Sequence, residues 1–163
     1  MYPVNLKMKG LPCLVIGGGH IAVRKVKKLL LEDAEVTVLA PEISPELMQY
    51  FREKRISWQQ ASYRKGDAKG YRFVVTACGI RQVAEWVHEE SLLQSFLYNA
   101  ADFPPLGNCS LPAAFETGGI HFAISTDGRS PAMAKYVKNW LKGRIPPAFG
   151  VWLDKAALLR EEL

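Results

Sequence analysis

A run of three glycines between an apolar segment and a helical segment is the feature that most constrains the fold. Cys13–Ile16 (CLVI) is continuously apolar and stops at Gly17, as a buried parallel strand does. The pattern that begins at Ile21 is helical, with apolar residues on one face and basic residues on the other. A strand that passes through glycines into a helix predicts the first βαβ unit of a doubly wound α/β fold.

The same segment fits the pattern G-x-G-x-x-A, with Gly17, Gly19 and Ala22 in the three positions. Gly17 allows the tight turn, Gly19 lets the backbone approach a pyrophosphate, and the small Ala22 lets the helix pack against the strand. Backbone N–H groups at a helix N-terminus attract a diphosphate. The turn that includes Gly17, Gly18 and Gly19 is therefore a predicted dinucleotide site.

Strands and helices continue to alternate as far as Asp102. Glu35–Leu39 is a predicted strand, and Ser44 with Pro45 predicts the cap and first position of a helix that runs to about Lys54. This alternation predicts a parallel sheet with right-handed crossovers. The remaining predicted elements of this part are strands at 56–62, 73–77 and 97–101 and a helix at 82–91.

The pattern changes after Asp102. Residues 111–117 and 120–126 are predicted strands joined by a two-glycine turn. A helix then begins at Ser130, with Pro131 at its first position, and ends at Gly143. Its broad apolar face is equally consistent with packing inside one subunit and with contact to a second copy of the chain.

The basic excess of the chain limits the classes of partner. There are 21 Lys and Arg against 16 Asp and Glu in 163 residues, which gives a net charge of +5 and a pI near 9.2. The cations are scattered over helical segments and form neither a compact block nor an RNA-binding motif with interleaved aromatic residues. We expect no nucleic-acid partner, whereas a phosphate or polycarboxylate ligand fits the charge.

Membrane, secretory and metal-binding signals are lacking in the sequence. No apolar run approaches the ~18–20 residues of a membrane span, and the N-terminus has no secretory signal. Cys13, Cys78 and Cys109 lie far apart, which argues against a disulfide framework or a zinc site, and the histidines lack metal-ligand spacing. We expect a cytoplasmic protein that contacts no membrane and holds no metal.

The acidic residue that binds an adenosine ribose is expected after the second strand, about 20 residues beyond the glycines. Leu39 and Ala40 occupy those positions, and Glu42 comes slightly later. The turn Ala40-Pro41-Glu42 could hold the ribose through backbone groups and the Glu42 carboxylate, or Glu42 could be a solvated acid. No Arg or Lys follows this strand closely, which favours NAD over NADP.

Asp102 is a single carboxylate between the last predicted parallel strand and a Phe-Pro-Pro segment. Asp is a common turn former in such segments, where its side chain bonds the nearby backbone. An acid at the carboxyl end of a parallel strand also faces the crevice where ligands bind, so Asp102 is a candidate general base. Asn99, three residues earlier, could hold the cofactor amide or make a structural hydrogen bond.

Four segments together resemble one known family. VIGGGHIAVRKVKKLL, VTVLAPE, YNAADFPPLGNCSLPA and ISTDGRSPAMAKYVK occur in this order and are similar to the precorrin-2 dehydrogenase / sirohydrochlorin ferrochelatase family, the N-terminal module of siroheme synthases. The likeness runs from about Leu6 to Gly143. It implies a Rossmann domain, a dimerisation region and a small helical domain. It also implies oxidation of precorrin-2 with NAD, and in several members insertion of ferrous iron.

The resemblance also implies roles for individual residues. Its central acid falls on Asp102, and its nucleotide-contacting positions fall on His20 and Ile21 after the glycines and on Pro41 and Glu42 after the second strand. The end of the fourth strand, Thr76 and Ala77, would also contact the cofactor, although relatives often carry a polar pair where this chain has Ala77-Cys78-Gly79. Apart from the resemblance, the sequence has two cations near the start of the Ser130 helix that are either solvated or hold substrate carboxylates: Arg129 and Lys135.

The resemblance divides the chain into three parts: a Rossmann domain at 1–112, a dimerisation region of a β-hairpin and a helix at 113–145, and the start of a truncated helical module at 146–163. The predicted protein is a homodimer that acts on precorrin-2. Two alternatives stay open at this point. One is a bifunctional dehydrogenase and ferrochelatase, and the other is a module that senses NAD without doing chemistry.

Overall fold

The computed structural model describes residues 1–146 and 148–161, and the chain divides into two compact units. The first unit is Tyr2–Ser110, and the second is Leu111–Leu163 together with Met1. The strands of the first unit are β1 (Pro12–Ile16), β2 (Glu35–Leu39), β3 (Ser57–Gln59), β4 (Phe73–Thr76) and β5 (Leu97–Ala100). Its helices are α1 (His20–Leu31), α2 (Pro45–Arg52), α3 (Arg81–Gln94) and a 3-10 turn (Pro104–Leu106).

The five strands form one parallel sheet in the order β3-β2-β1-β4-β5. This order confirms the predicted Rossmann-type α/β fold. The strand order reverses at β1, where Ile16 lies beside Leu39 on one side and beside Thr76 on the other. Ligands of such sheets bind at this reversal, beyond the carboxyl ends of the strands.

Helices cover both faces of the sheet, as the continuously apolar strands predict. Cys13 and Val15 of β1 point into a cluster formed with α1 and α2, whereas Leu14 and Ile16 point into a cluster formed with α3. The predicted apolar face of α1 is confirmed, because Ile21 and Leu30 are half-buried and pack against the first of these clusters together with the buried residues. The buried residues of this helix are Ala22, Val23, Val26 and Leu29.

The main boundary error concerns the third strand, which was predicted over 56–62. β3 covers only Ser57–Gln59 because it is the edge strand, and the chain turns away where the Ala61 N–H bonds the Gln59 carbonyl. The fourth strand stops at Thr76, one residue earlier than predicted. The third helix is longer than predicted, whereas the second ends at Arg52, before Lys54.

The second unit contains the predicted β-hairpin and helix. Its elements are β6 (Ala113–Thr117), β7 (Ile120–Ile124), α4 (Pro131–Lys142) and α5 (Phe149–Glu161). Gly118 and Gly119 form the turn with φ values of 57° and 71°, which only glycine adopts readily at both positions of a two-residue hairpin turn. The rings of Phe115 and Phe122 stack across the strands with centroids 4.8 Å apart.

α4 begins as predicted, since the Ser130 hydroxyl accepts a hydrogen bond from the Met133 N–H and Pro131 follows the cap. Only Ala134 of this helix is buried, and Met133, Tyr136 and Trp140 are exposed by 54%, 65% and 46%. The predicted module at 146–163 contains α5, and Pro147, Glu162 and Leu163 lie outside the described residues. None of the described helices combines the length and apolarity that crossing a membrane requires.

Candidate active site

The glycine turn after β1 packs between the carboxyl ends of β2 and β4. Gly17 is buried with φ 129°, a conformation that L side chains rarely adopt, and a Cβ there would overlap the Ala77 carbonyl oxygen. Its N–H donates to the Leu39 carbonyl at 3.0 Å. The turn therefore touches the chain that leaves β2 and the chain that leaves β4.

Gly18 and Gly19 have different surroundings. A Cβ on Gly18 would overlap the Glu42 carbonyl oxygen, and the Gly18 carbonyl accepts a hydrogen bond from the Ser44 N–H at 2.9 Å. Gly18 therefore lets the segment after β2 lie directly on the turn, a role that the sequence did not indicate. A Cβ on Gly19 would meet nothing within 4 Å, so this glycine faces open space.

The N-terminus of α1 lies at this open position. Gly19 is the N-cap residue and has no side chain that could cap the helix, and the first turn contains no acidic residue. The first backbone hydrogen bond of the helix joins the Val23 N–H to the Gly19 carbonyl. The N–H groups of the first turn therefore have no acceptor within the helix. His20 is exposed and Ile21 is half-buried. This arrangement suits a diphosphate.

The turn after β2 lies beside the glycine turn. Pro41 and Glu42 are exposed, which leaves the Glu42 carboxylate accessible. The Ala40 carbonyl accepts a hydrogen bond from the Trp58 indole N–H at 3.0 Å, so the start of this turn is fixed to β3. The contact between Gly18 and the Glu42 backbone holds the middle of the turn in place.

The end of β4 reaches the site through its backbone. The Thr76 hydroxyl is buried and lies 2.9 Å from the Tyr98 hydroxyl, so this side chain belongs to the core. The Ala77 N–H donates to the Ile16 carbonyl at 2.8 Å. Only backbone groups of these two residues lie at the edge of the sheet beside Gly17.

Asp102 joins the ends of β4 and β5. Its Oδ2 accepts a hydrogen bond of 2.6 Å from the N–H of Gly79, 23 positions earlier in the chain. Gly79 has φ 69° and comes two residues after Ala77, whose carbonyl lies against Gly17. The side chain thus makes a long-range contact where a simple turn former would bond its local backbone. Its other oxygen, Oδ1, has no hydrogen-bond partner within the described ranges.

Asn99 is engaged inside the protein. Its side chain is 7% exposed, its Oδ1 accepts a hydrogen bond from Lys25 Nζ at 2.9 Å, and its Nδ2 donates to the Cys109 carbonyl at 3.1 Å. Both polar atoms of the amide are therefore used by the chain itself. Sequence reasoning missed Lys25, and the available signal was its position at the end of the GGGHIAVRK segment.

The electrostatics around Lys25 reflect partial burial. Burial lowers the pKa of the Lys25 ammonium, and the nearby charges of Lys28 and Arg24 lower it further, while Cys109 and Asp102 act in the opposite direction. Burial raises the pKa of the Cys109 thiol to about 11. Burial also raises the pKa of the Cys78 thiol. At neutral pH both thiols are therefore protonated, and neither is an activated nucleophile.

The two predicted substrate-binding cations belong to the second unit. Arg129 and Lys135 are exposed, and Arg129 Nε donates to the Thr126 carbonyl at 3.3 Å. Asp102, Asn99 and the glycine turn all belong to the first unit. Among residues 1–146 and 148–161, no three His, Cys, Asp or Glu side chains are grouped so that they could hold a metal ion.

Comparison with known proteins agrees with this geometry. A family model described as putative NAD(P)-binding matches residues 4–113. A precorrin-2 dehydrogenase of Priestia megaterium is 33% identical over 149 residues, which cover 91% of this chain and 73% of that protein. A solved structure of SirC, precorrin-2 dehydrogenase, superposes with a TM-score of 0.83 at 33% identity and covers 94% of this chain and 76% of that one.

Longer proteins also contain a similar region. A siroheme synthase of Nitrosococcus oceani is 34% identical over 161 residues, and one of Methylococcus capsulatus is 32% identical over 161 residues. The match covers 99% of this chain in both cases but only 34% of each synthase. The chain thus spans about a third of the length of these relatives and about three quarters of the length of the dehydrogenase.

Proposed function

Because this chain belongs to the precorrin-2 dehydrogenase family, we propose that it uses NAD to oxidise precorrin-2 to sirohydrochlorin. The observation that carries the proposal is the position of Asp102, held by the Gly79 N–H at the same sheet edge as the glycine turn. A protein that only binds a nucleotide has no evident use for a carboxylate fixed at this place.

The cofactor site would be built mainly from backbone. The amides of the turn that contains Gly17, Gly18 and Gly19, with those of His20 and Ile21, would hold the diphosphate at the start of α1. Pro41 and Glu42 would hold the adenosine ribose, and the backbone of Thr76 and Ala77 would line the path between Gly17 and Asp102. NAD, when bound, accepts the hydride that leaves the substrate.

Asp102 would remove the proton that leaves together with the hydride. Oδ2 is fixed by the Gly79 amide, which leaves Oδ1 to accept a proton from the tetrapyrrole. Oxidation of precorrin-2 thus transfers two electrons and one proton as hydride to NAD and a second proton to the carboxylate. A positioned general base contributes about 10²–10⁴-fold to a rate.

The substrate has several carboxylate groups, so its binding needs cations. We assign this role to Arg129 and Lys135, which are exposed on the second unit. We also propose a homodimer, because the apolar face of α4, with Met133, Tyr136 and Trp140, is exposed in the single chain. The three free cysteines fit a reducing compartment, and we propose a cytoplasmic location.

The test is an absorbance assay of the purified chain with precorrin-2 and NAD. We expect NADH and sirohydrochlorin to form together in equal amounts. Tight binding of NAD with no change in precorrin-2 would refute the dehydrogenase and indicate a nucleotide sensor. Ferrous or cobaltous ion, added after the oxidation is complete, tests for metal insertion in the same cuvette.

A further inference from the structure

We propose that Lys25 is a positioning residue of this active site, because its ammonium connects the helix that follows the glycine turn to the strand that leads to Asp102. The kinetic part of this inference rests on the proposed function. The contact itself joins two elements of the first unit: α1, which contains Lys25, and β5, which contains Asn99.

The contact crosses a long stretch of sequence. Lys25 Nζ donates to Asn99 Oδ1 at 2.9 Å, 74 positions away, and Asn99 Nδ2 donates to the Cys109 carbonyl. Hydrogen bonds of an ammonium to an amide oxygen are charge-assisted and stronger than neutral ones. Loss of the ammonium would leave the amide oxygen of a residue that is 7% exposed without this partner.

The location of this contact relates it to the reaction. α1 starts at His20, directly after the glycine turn, and β5 ends at Ala100, two residues before Asp102. The Lys25–Asn99 bond therefore connects the helix that would hold the diphosphate to the strand that leads to the base. A displacement of about 1 Å between reacting groups can reduce a rate ~10²-fold.

The charge of Lys25 is sensitive to its surroundings. Burial lowers the pKa of its ammonium, Lys28 and Arg24 of the same helix add to this, and the opposing groups are Cys109 and the carboxylate of Asp102. The ammonium is present below its pKa and is lost as the pH rises through it. Because the pKa lies below the usual lysine value, the charge-assisted bond is lost at a lower pH than for an exposed lysine.

Replacement of Lys25 separates positioning from folding. For Lys25→Met we expect kcat to fall about 10- to 100-fold while the Kd for NAD stays within about twofold, with thermal denaturation as the check on folding. Lys25→Arg retains a charged donor, so it should recover most of kcat and move the alkaline decline of kcat to higher pH. Lys28→Met, an equal charge change on the exposed side of α1, is the control and should keep kcat unchanged.

Several results would overturn this role. The first is a kcat of Lys25→Met equal to that of the parent chain. The second is a loss of kcat in Lys28→Met as large as that in Lys25→Met. The third is a kcat of Lys25→Arg that declines at the same alkaline pH as that of the parent chain. The last result would assign the decline to the thiols of Cys78 or Cys109, which also titrate at high pH.

An NMR titration tests the inference without any turnover. In protein with ¹³C-labelled lysine, the Lys25 signal is assigned by its loss in Lys25→Arg, and we expect its pKa to lie below those of the other lysines. In Asp102→Asn the pKa of Lys25 should fall further, because the attraction of the carboxylate is removed. A Lys25 signal that titrates with the exposed lysines and ignores Asp102→Asn would refute the inference. A parent chain that fails to oxidise precorrin-2 refutes the proposed function instead.

Discussion

The Asp102 carboxylate accepts a hydrogen bond of 2.6 Å from the backbone N–H of Gly79, across 23 positions of sequence. This bond holds together the chain segments that leave β4 and β5, at the edge of the sheet where the glycine turn also lies. Gly79 can present its N–H in this direction because it adopts φ 69°, which glycine tolerates without strain. The position of the proposed base thus depends on the loop after β4 as well as on its own strand.

Replacement of this acid should remove chemistry and spare the cofactor. For Asp102→Asn we expect kcat with precorrin-2 to fall ~10²- to 10⁴-fold, since an amide accepts the Gly79 bond but cannot take up a proton. The Kd for NAD, measured by calorimetry, should be unchanged. Asp33→Asn, an exposed residue before β2, is the matched control and should turn over normally. Normal turnover in Asp102→Asn would exclude the residue as the base.

The glycines of the turn should respond differently to alanine. In Gly17→Ala, an alanine would have to adopt φ 129°, and its Cβ would overlap the Ala77 carbonyl oxygen. We therefore expect the free energy of unfolding to fall by ~1–3 kcal/mol. The position of Gly19 has φ −87° and an open environment, so Gly19→Ala should lose only about 0.5 kcal/mol, because alanine caps a helix less well than glycine. Its affinity for NAD should nevertheless fall by tenfold or more, about 1.4 kcal/mol, because the methyl group occupies the space beside the diphosphate.

Urea denaturation and NAD titration of the two variants check this contrast. A Gly17→Ala protein as stable as the parent chain would show that the close approach of Gly17 to Ala77 does not require glycine. A Gly19→Ala protein with unchanged NAD affinity would show that the diphosphate binds elsewhere.

A buried pair between the loop after β3 and α3 predicts a stability effect away from the site. The Tyr63 hydroxyl donates to Glu90 Oε1 at 2.8 Å, and both side chains are buried. Tyr63→Phe removes this hydrogen bond from the buried carboxylate of Glu90, so we expect the free energy of unfolding to fall by ~1–3 kcal/mol. Tyr71→Phe removes a hydroxyl that accepts an exposed 3.4 Å hydrogen bond from Gln59, and should change the free energy of unfolding by less than about 0.5 kcal/mol. Equal effects of the two changes, measured by urea denaturation, would contradict this interpretation.

Alkaline pH should destabilise the fold through a buried thiol. Burial raises the pKa of Cys13 from 9.0 to about 12. The unfolded chain therefore releases this proton near pH 9 while the folded chain keeps it, so stability is full below pH 9 and decreases as the pH rises towards 12. The slope from one such group is at most about 1.4 kcal/mol per pH unit. Cys13→Ala should show a shallower decline in urea denaturation from pH 8 to 11, and an identical slope would contradict the prediction.

The apolar face of α4 predicts the oligomeric state. Tyr136 is 65% exposed and lies on this face, so Tyr136→Glu should convert a dimer into a monomer in analytical ultracentrifugation. Leu93→Glu, at a residue of α3 that is 83% exposed, makes the same chemical change on the first unit and should leave the dimer intact. A parent chain that sediments as a monomer would contradict the proposed homodimer.

The parts of the structure that the sequence predicted are those encoded locally. The strand, glycine turn and helix around Gly17 follow one another without interruption, so their pattern is legible without knowledge of distant residues. The Ser130 cap and the turn at Gly118 and Gly119 are likewise determined by adjacent residues, and the structure confirms each of them.

The features that were missed depend on distant contacts. The bond between Lys25 and Asn99 cannot be inferred from a helix face, because it requires knowledge of where β5 lies relative to α1. The contact of His88 is of the same kind, because its Nδ1 lies 2.7 Å from the carbonyl of Leu106 in a 3-10 turn that the sequence did not predict. Tertiary packing thus determined the details around the site, whereas local pattern determined its framework.

A crystal structure of the chain with bound NAD tests the central claim most directly. We expect diphosphate density along the turn that contains Gly17 and Gly19, and the nicotinamide ring next to the Asp102 carboxylate. A nicotinamide ring placed away from Asp102, or a nucleotide bound outside the glycine turn, would contradict the assignment of this edge of the sheet as the active site.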